Sequence, residues 1–422
     1  MNVEQRPPWY FLLLLILAGE SVFILPFVLA RVFRPTVLEA FSLDNVQLGL
    51  CFSVYGIVAV GSYLLGGPLA DKFPPRKLIA SALWATAAGG LVYATFPSLR
   101  VLQVLYAWWG FTTIFLAWAP MIKATRVWGG TQSQGKAFGF LDGGRGLVGA
   151  LFGSLGVIVF TLFLTTEIAE ATQDQSQEAF KYVIWVATAL VALVGVLVWF
   201  FLHLDQELEN SITIERITTS QIKQVLNLPS VRLLMMIILC GYVGYKVTDI
   251  FSLYAQDVMH YDQIASAQVG TYLLYIRPVI GVSIGILADR SQTTFWLMIS
   301  FIVLFFGSLL LASGVVIATA PTLFFVSILI VAAGVYAARC LYFSVMQSGQ
   351  IPLVLTGTAV GMISIVGYTP DIFVGPVVGY FLDSYPGIVG HQKVFLMLSI
   401  FAFVGTLSSW RYYKLYHTTK QL

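Results

Sequence analysis

The sequence predicts an all-α membrane protein with twelve transmembrane helices in two related six-helix bundles. Three observations carry this. First, of the 422 residues 58% are apolar and only 10% are charged, against about 25% charged in an ordinary soluble domain. So few charges could not cover a soluble protein of 46.4 kDa, and disorder needs the opposite balance of low hydrophobicity and high charge. Second, apolar runs of about 20 residues recur along the chain, each long enough to cross a hydrocarbon core of about 30 Å. Third, the second half repeats features of the first.

The first six spans are predicted at 9–33, 46–70, 78–96, 101–122, 135–164 and 182–202. The second six are predicted at 233–256, 265–287, 295–317, 322–346, 355–382 and 394–416. The first follows a short polar tail and is too long for a signal-peptide core, so it reads as a retained helix. The second closes on Gly67-Pro-Leu-Ala-Asp71-Lys72 and the eighth on Gly285-Ile-Leu-Ala-Asp289-Arg290, 218 positions later. The fifth carries Gly135, Gly139, Gly146, Gly149 and Gly153, and the eleventh carries Gly357, Gly361, Gly367, Gly375 and Gly379. Glycines spaced in this way let helix backbones approach closely. These echoes predict an N-terminal bundle over 1–203, a cytoplasmic linker over 204–231 and a C-terminal bundle over 232–422. Within the linker, Ile222, Val225 and Leu226 share a helical face before Pro229. They read either as an amphipathic helix on the membrane surface or as a loop with incidental apolar residues.

Basic residues in short loops set orientation. With the N-terminus in the cytoplasm, thirteen fall inside (Arg6, Lys72, Arg76, Lys77, Arg126, Lys136, Arg216, Lys223, Arg232, Arg290, Arg411, Lys414, Lys420). Five fall outside: Arg31, Arg34, Arg100, Lys181 and Lys393. Both termini are therefore expected in the cytoplasm. Net charge is only +3, which gives no case for nucleic acid. Cys51, Cys240 and Cys340 lie far apart inside apolar runs and make neither a metal spacing nor a disulfide framework. No phosphate-binding glycine loop, zinc spacing or nucleophile elbow is present, and the four histidines are read at or beyond the span ends. The expectation is a protein that is not an enzyme and needs no cofactor or metal.

The doubled Gly-x-Leu-Ala-Asp-Lys/Arg motif at half-chain offset resembles the signature of the major facilitator superfamily. The continuation Phe73-Pro74-Pro75-Arg76-Lys77 is similar to that of the organophosphate:phosphate antiporter branch. A closer resemblance is to YihN-like bacterial carriers related to that branch. It is carried by Trp118-Ala-Pro-Met-Ile-Lys123, Gln134-Gly-Lys-Ala-Phe-Gly-Phe-Leu-Asp-Gly-Gly-Arg-Gly146, Gly367-Tyr-Thr-Pro-Asp371 and Tyr380-Phe-Leu-Asp-Ser-Tyr-Pro-Gly-Ile-Val-Gly390. The resemblance implies the major facilitator fold, with the third, sixth, ninth and twelfth helices as outer supports. It also implies that Asp71 and Asp289, beside Lys72, Arg76 and Arg290, help latch the outward-open state through charge contacts; the alternative is loop solvation. One departure stands out. Many proton-coupled members carry an arginine in the fourth helix, where this chain has Gln103-Val-Leu-Tyr106-Ala-Trp-Trp-Gly110.

With Arg31, Lys136, Arg411 and Lys414 at the span ends counted with the loops, nine of the 23 basic and 20 acidic residues are left to the membrane: Glu20, Asp142, Asp249, Asp371, Lys123 at its span's inner edge, Arg145, Lys246, Arg277 and Arg339. None of the four support helices carries one of these nine. Each would cost roughly 2.5–3.5 kcal/mol facing lipid at mid-bilayer. At about 1.5 Å per residue, Glu20 and Arg277 lie about 17–18 Å into their spans. Asp142 with Arg145, and Lys246 with Asp249, have the i,i+3 spacing of ion pairs. These read either as structural pairs or, for Lys246, as a substrate ligand tuned by Asp249. Tyr242 and Tyr245 offer an aromatic wall beside them. Arg277 and Arg339 have no acid one turn away on their own helices, and a guanidinium binds carboxylate or phosphate with two parallel hydrogen bonds. They are the leading anion ligands, with Tyr275, Tyr336 and Tyr342 nearby; cross-helix pairing with Glu20 or Asp371 is the alternative. Lys123 is a further ligand candidate. Glu20 and Asp371 are candidates for coupling, and Asp371 follows Pro370, which frees backbone acceptors. Gln47, Tyr55 and Gln350 are weaker candidates, better explained by helix ends or packing.

The function expected is secondary transport of a small organic anion across the cytoplasmic membrane by a monomer in the lipid bilayer. A proton or a counter-transported anion is the expected coupling partner. Two other readings stand beside it: a carrier of a zwitterion or cation using Glu20, Asp142 or Asp371, and a sensor that keeps the carrier fold without moving anything.

Overall fold

The computed structural model describes residues 8–129, 134–164, 172–203, 223–224, 226–342, 344–345 and 356–420. Side chains at 64, 65, 67, 68, 71, 72, 134–136, 289, 356–358, 360, 361 and 416–420 are not described. The predicted surface helix with Ile222 and Val225, the weaker candidate Gln350 and the carboxyls of Asp71 and Asp289 therefore lie outside the described residues.

Among the described residues every regular element is helical. We number the long helices α1 (Trp9–Val32), α2 (Asn45–Lys72), α3 (Pro75–Tyr93), α4 (Leu99–Gly129), α5 (Gln134–Phe163) and α6 (Gln173–Phe201). The second set is α7 (Pro229–Asp257), α8 (Gln263–Asp289), α9 (Thr293–Ala312) and α10 (Pro321–Leu341). It ends with α11 in two pieces (Thr356–Gly367 and Pro370–Ser384) and α12 (Ile388–Lys420). All but α3 are long and apolar enough to cross a membrane. α3, rich in Ala and Gly, occupies the place of the predicted third span.

Several element boundaries have local causes. α6 starts well before the predicted position because Thr172 and Gln175 form a reciprocal capping box, which satisfies two of the donors a helix start leaves unpaired. α2 starts on a similar box between Asp44 and Gln47. Its first N–H groups are capped a second time from α11. Asp383 accepts from the Asn45 backbone at 3.1 Å, the Asn45 side-chain amide at 2.9 Å and the Val46 backbone at 2.7 Å. α11 is interrupted between Gly367 and Pro370, since proline lacks the N–H that would continue the ladder. α1 widens into a π-helical stretch at Ile24–Val28, which contains Pro26. α4 does the same at Phe111–Trp118, just before Pro120. In both, a proline ring and its missing N–H disturb the regular i→i−4 bonding.

The chain divides into two compact units, one of residues 1–43 and 57–215, the other of 44–56 and 216–422. In the first, α1 packs on α5 and α6, and α3 packs on α4 and α6. In the second, α7 packs on α11 and α12, and α9 packs on α10 and α12. The same pairs recur six helices later, the spatial counterpart of the sequence echo. Large rings fill each interior: Phe33 against Phe160 and Phe180, Tyr93 and Tyr106 against Trp109, and Tyr254 against Phe324 and Phe395. Small residues set the closest approaches, as helix packing in lipid requires. Residues 44–56 group with the second unit for this reason. A Cβ on Gly49 would fall 2.4 Å from the Gly375 backbone, and one on Gly379 2.5 Å from that of Asn45.

Two expectations are corrected here. Arg31 and Arg34, expected in an outer loop, are each only 2% exposed: α1 runs through Arg31 and a short helix, Arg34–Ala40, starts at once. His391, expected beyond its span, is fully buried because α12 begins earlier than predicted. Its Nε2 lies 3.1 Å from Asp257 and its ring packs edge-on against Tyr254.

Candidate functional site

Most of the predicted site residues fall into one polar cluster in each unit; Lys123 and Arg76 do not, and the Asp71 carboxyl lies outside the described residues. In the second unit the cluster is built on α7. Lys246 stands in the last α-helical turn, after which the chain tightens into a 3₁₀ turn at Thr248–Ile250 that carries Asp249. Lys246 Nζ lies 3.7 Å from Asp249 Oδ2 and 3.3 Å from Asp371 Oδ1 on α11, so one ammonium is shared by two carboxylates. Asp371 sits in the first turn behind Pro370, where the positive end of the helix favours a carboxylate. Tyr242, one turn before Lys246, donates its O–H to Asp371 at 3.1–3.2 Å. The Phe52 ring lies 4.9 Å from Lys246 Nζ. Gly56 makes room for this approach, since a Cβ there would meet the Asp371 backbone at 2.9 Å.

The arginines join through Tyr245. Its ring centroid lies 3.9 Å from Arg339 Cζ of α10 and 6.0 Å from Arg277 Cζ of α8. That ring stacks on Tyr242 at 5.7 Å, and Tyr242 meets Tyr368 edge-on at 4.8 Å. A chain of contacts thus runs from two guanidiniums through Tyr245 and Tyr242 to the Lys246–carboxylate group, with Tyr368 against Tyr242. Lys246, Asp249, Arg277 and Asp371 are buried, and Arg339 is half-buried. Tyr336 is buried on α10 and Tyr275 half-buried on α8. The cluster thus brings together three basic and two acidic side chains.

In the first unit, Arg145 Nε of α5 meets Glu20 Oε2 of α1 at 3.2 Å. This cross-helix partner is not visible in the i,i+3 spacing to Asp142, which is half-buried. The Arg145 guanidinium also lies 5.3 Å from the Phe23 ring and 5.7 Å from the Trp118 ring. Lys123 is elsewhere: its Nζ donates to the Ala70 carbonyl at 3.1 Å, an end-of-helix role for a cation. Arg76 is half-buried at the start of α3. Sequence reasoning passed over Phe23, Phe52, Trp118, Tyr368 and Asp383. Four of these are aromatic residues among many in apolar helices, where nothing in the spacing singles them out. Tyr368, three residues before Asp371, was the most readable.

Two units of like packing, each with ionisable groups buried among membrane-spanning helices, define a membrane transporter. The chain belongs to the Major Facilitator Superfamily, whose family profile matches residues 10–373. It is 28% identical over 395 residues to inner membrane protein YqcE of Escherichia coli (strain K12), covering 92% of this chain and 91% of that protein. It is 27% identical over 420 residues to inner membrane protein YihN of the same organism, covering 96% and 95%. Among solved structures it resembles a bacterial homolog of the human lysosomal transporter Spinster, with a TM-score of 0.74 and 15% identity over 97% of both chains. It also resembles the nucleoside transporter NupG, with a TM-score of 0.70 and 15% identity over 96% of this chain and 99% of that one. At such identity the two structures speak to the fold alone.

Proposed function

We propose that this transporter carries a small organic anion across the cytoplasmic membrane by alternating access, with both termini in the cytoplasm. The observation that carries this reading is the pair of guanidiniums on one tyrosine: Arg277 and Arg339 both approach the Tyr245 ring, beside Lys246. Bringing buried cations together costs energy that an anion with two or more acceptor oxygens offsets. The motif resemblance to the organophosphate:phosphate antiporter branch supports an anionic substrate too. In this reading Arg277, Arg339 and Lys246 hold the anion, and Tyr242, Tyr275 and Tyr336 line it. Asp249 and Asp371 hold the ammonium until the substrate arrives. Glu20 or Asp371 couples a proton, or a second anion is exchanged, while Asp71 and Arg76 take part in gating.

The test is uptake of labelled phosphates and carboxylates into proteoliposomes. Arg277→Ala and Arg339→Ala should each reduce saturable uptake by roughly 30-fold or more, the effect of about 2 kcal/mol lost from a buried charged contact. Undiminished uptake in both variants removes them from the site. Competition by cations but not anions would favour the zwitterion or cation carrier, and binding without flux would favour the sensor.

A further inference from the structure

We infer that the first unit holds an anion site of its own, in which Arg145 and an aromatic box of Phe23, Phe27, Tyr63 and Trp118 take a carboxylate bearing an aromatic ring. This rests on the organic-anion reading and names the body of the anion. Arg145 is 7% exposed, yet among the described residues its single hydrogen bond is Nε to Glu20 at 3.2 Å. A guanidinium has five N–H donors. The four on its two Nη atoms, the edge that grips a carboxylate with parallel bonds, meet no acceptor among the described residues. None of the Arg145 nitrogens is among the buried side-chain atoms that lack a partner, so this edge faces open space that a ligand carboxylate can enter.

The surroundings specify the rest of the ligand. Phe23 and Trp118 hold the guanidinium between them. Their rings meet at 6.5 Å, Trp118 meets Tyr63 at 6.4 Å and Phe23 meets Phe27 at 6.4 Å. All four aromatic side chains are half-buried, so each keeps ring surface to offer. The two π-helical stretches abut this box: the one in α1 begins directly after Phe23, and the one in α4 ends on Trp118. π-helical turns are costly and concentrate at functional sites. An aromatic ring docked on this wall adds stacking to the charge contact, whereas a small hydrophilic anion gains only the latter.

The experiment uses the full-length protein purified in detergent, with phenylacetate, acetate and inorganic phosphate as probes. Phenylacetate should quench tryptophan fluorescence saturably and raise Tm, and acetate should bind about tenfold more weakly, the effect of about 1.4 kcal/mol of ring contact. Trp118→Phe should remove the quench and keep a Tm shift. Arg145→Lys, which retains the charge but not the fork, should lose both. Equal affinity for acetate and phenylacetate, or unchanged phenylacetate binding in Arg145→Lys, overturns the inference, as does the absence of phenylacetate binding. Uptake of acetate or phosphate into proteoliposomes without phenylacetate binding removes this site and leaves the carrier reading. Phenylacetate binding through Arg145 without uptake of any probe leaves the site and removes the carrier reading.

Discussion

Lys246 shows how a single side chain can stabilise or threaten the interior of a membrane protein. Its ammonium serves both Asp249 and Asp371, and removing one member of such a group leaves an uncompensated buried charge, at about 3–5 kcal/mol. Lys246→Met should therefore lower Tm in detergent sharply. The triple variant Lys246→Met, Asp249→Asn, Asp371→Asn should regain most of that loss, because no net charge is left behind. A thermal unfolding series checks both; a triple variant no more stable than the single one would refute the shared-ammonium account. Gly379 acts by size instead. A Cβ there would meet the Asn45 backbone at 2.5 Å, so Gly379→Leu should lower Tm and the yield of folded protein, while Gly139→Leu, with nothing within 4 Å, should not.

At the level of elements, the prolines of α1 and α4 trade regularity for position. Pro120→Ala restores an N–H and removes a ring clash, changes that favour a regular helix by up to about 3 kcal/mol. Tm should stay level or rise, while transport falls because Trp118 is re-aimed; a variant with normal transport would show the π-helical stretch to be incidental. The sequence displayed Pro26 and Pro120, yet not that the helices would widen rather than kink there. The twelve spans were readable because each is a physical length of apolar chain, and the long-range ion pairs were not. Arg145 and Asp142 share an i,i+3 spacing that any reader can see, whereas Glu20 reaches Arg145 across 125 positions of chain. The same holds for Lys246: its partner Asp249 was legible and its partner Asp371 was not.

For the whole molecule, low charge content and two-fold repetition together define the architecture, and the rule that basic loops face the cytoplasm predicts its orientation. A fluorescent reporter on the C-terminus should report a cytoplasmic location, and a periplasmic phosphatase fused at the same place should be inactive; the opposite result would invert the topology. The repetition also explains why buried ion pairs occur in both units: Glu20 and Arg145 on α1 and α5 answer to Lys246 and Asp371 on α7 and α11. Those are the corresponding helices, with the signs exchanged.

The Asp383 cap has a consequence in time. The carboxylate that covers the start of α2 is encoded 338 positions after Asn45. At roughly 5–20 residues per second of synthesis, it emerges roughly 20 to 70 seconds later. Through that interval the amino end of α2 has only its local box with Asp44 and Gln47, and Gly49 has no Gly375 to meet. Residues 44–56 are among the first made and among the last to reach their final neighbours, so the nascent chain keeps an unfinished helix end waiting for almost the whole of its own translation.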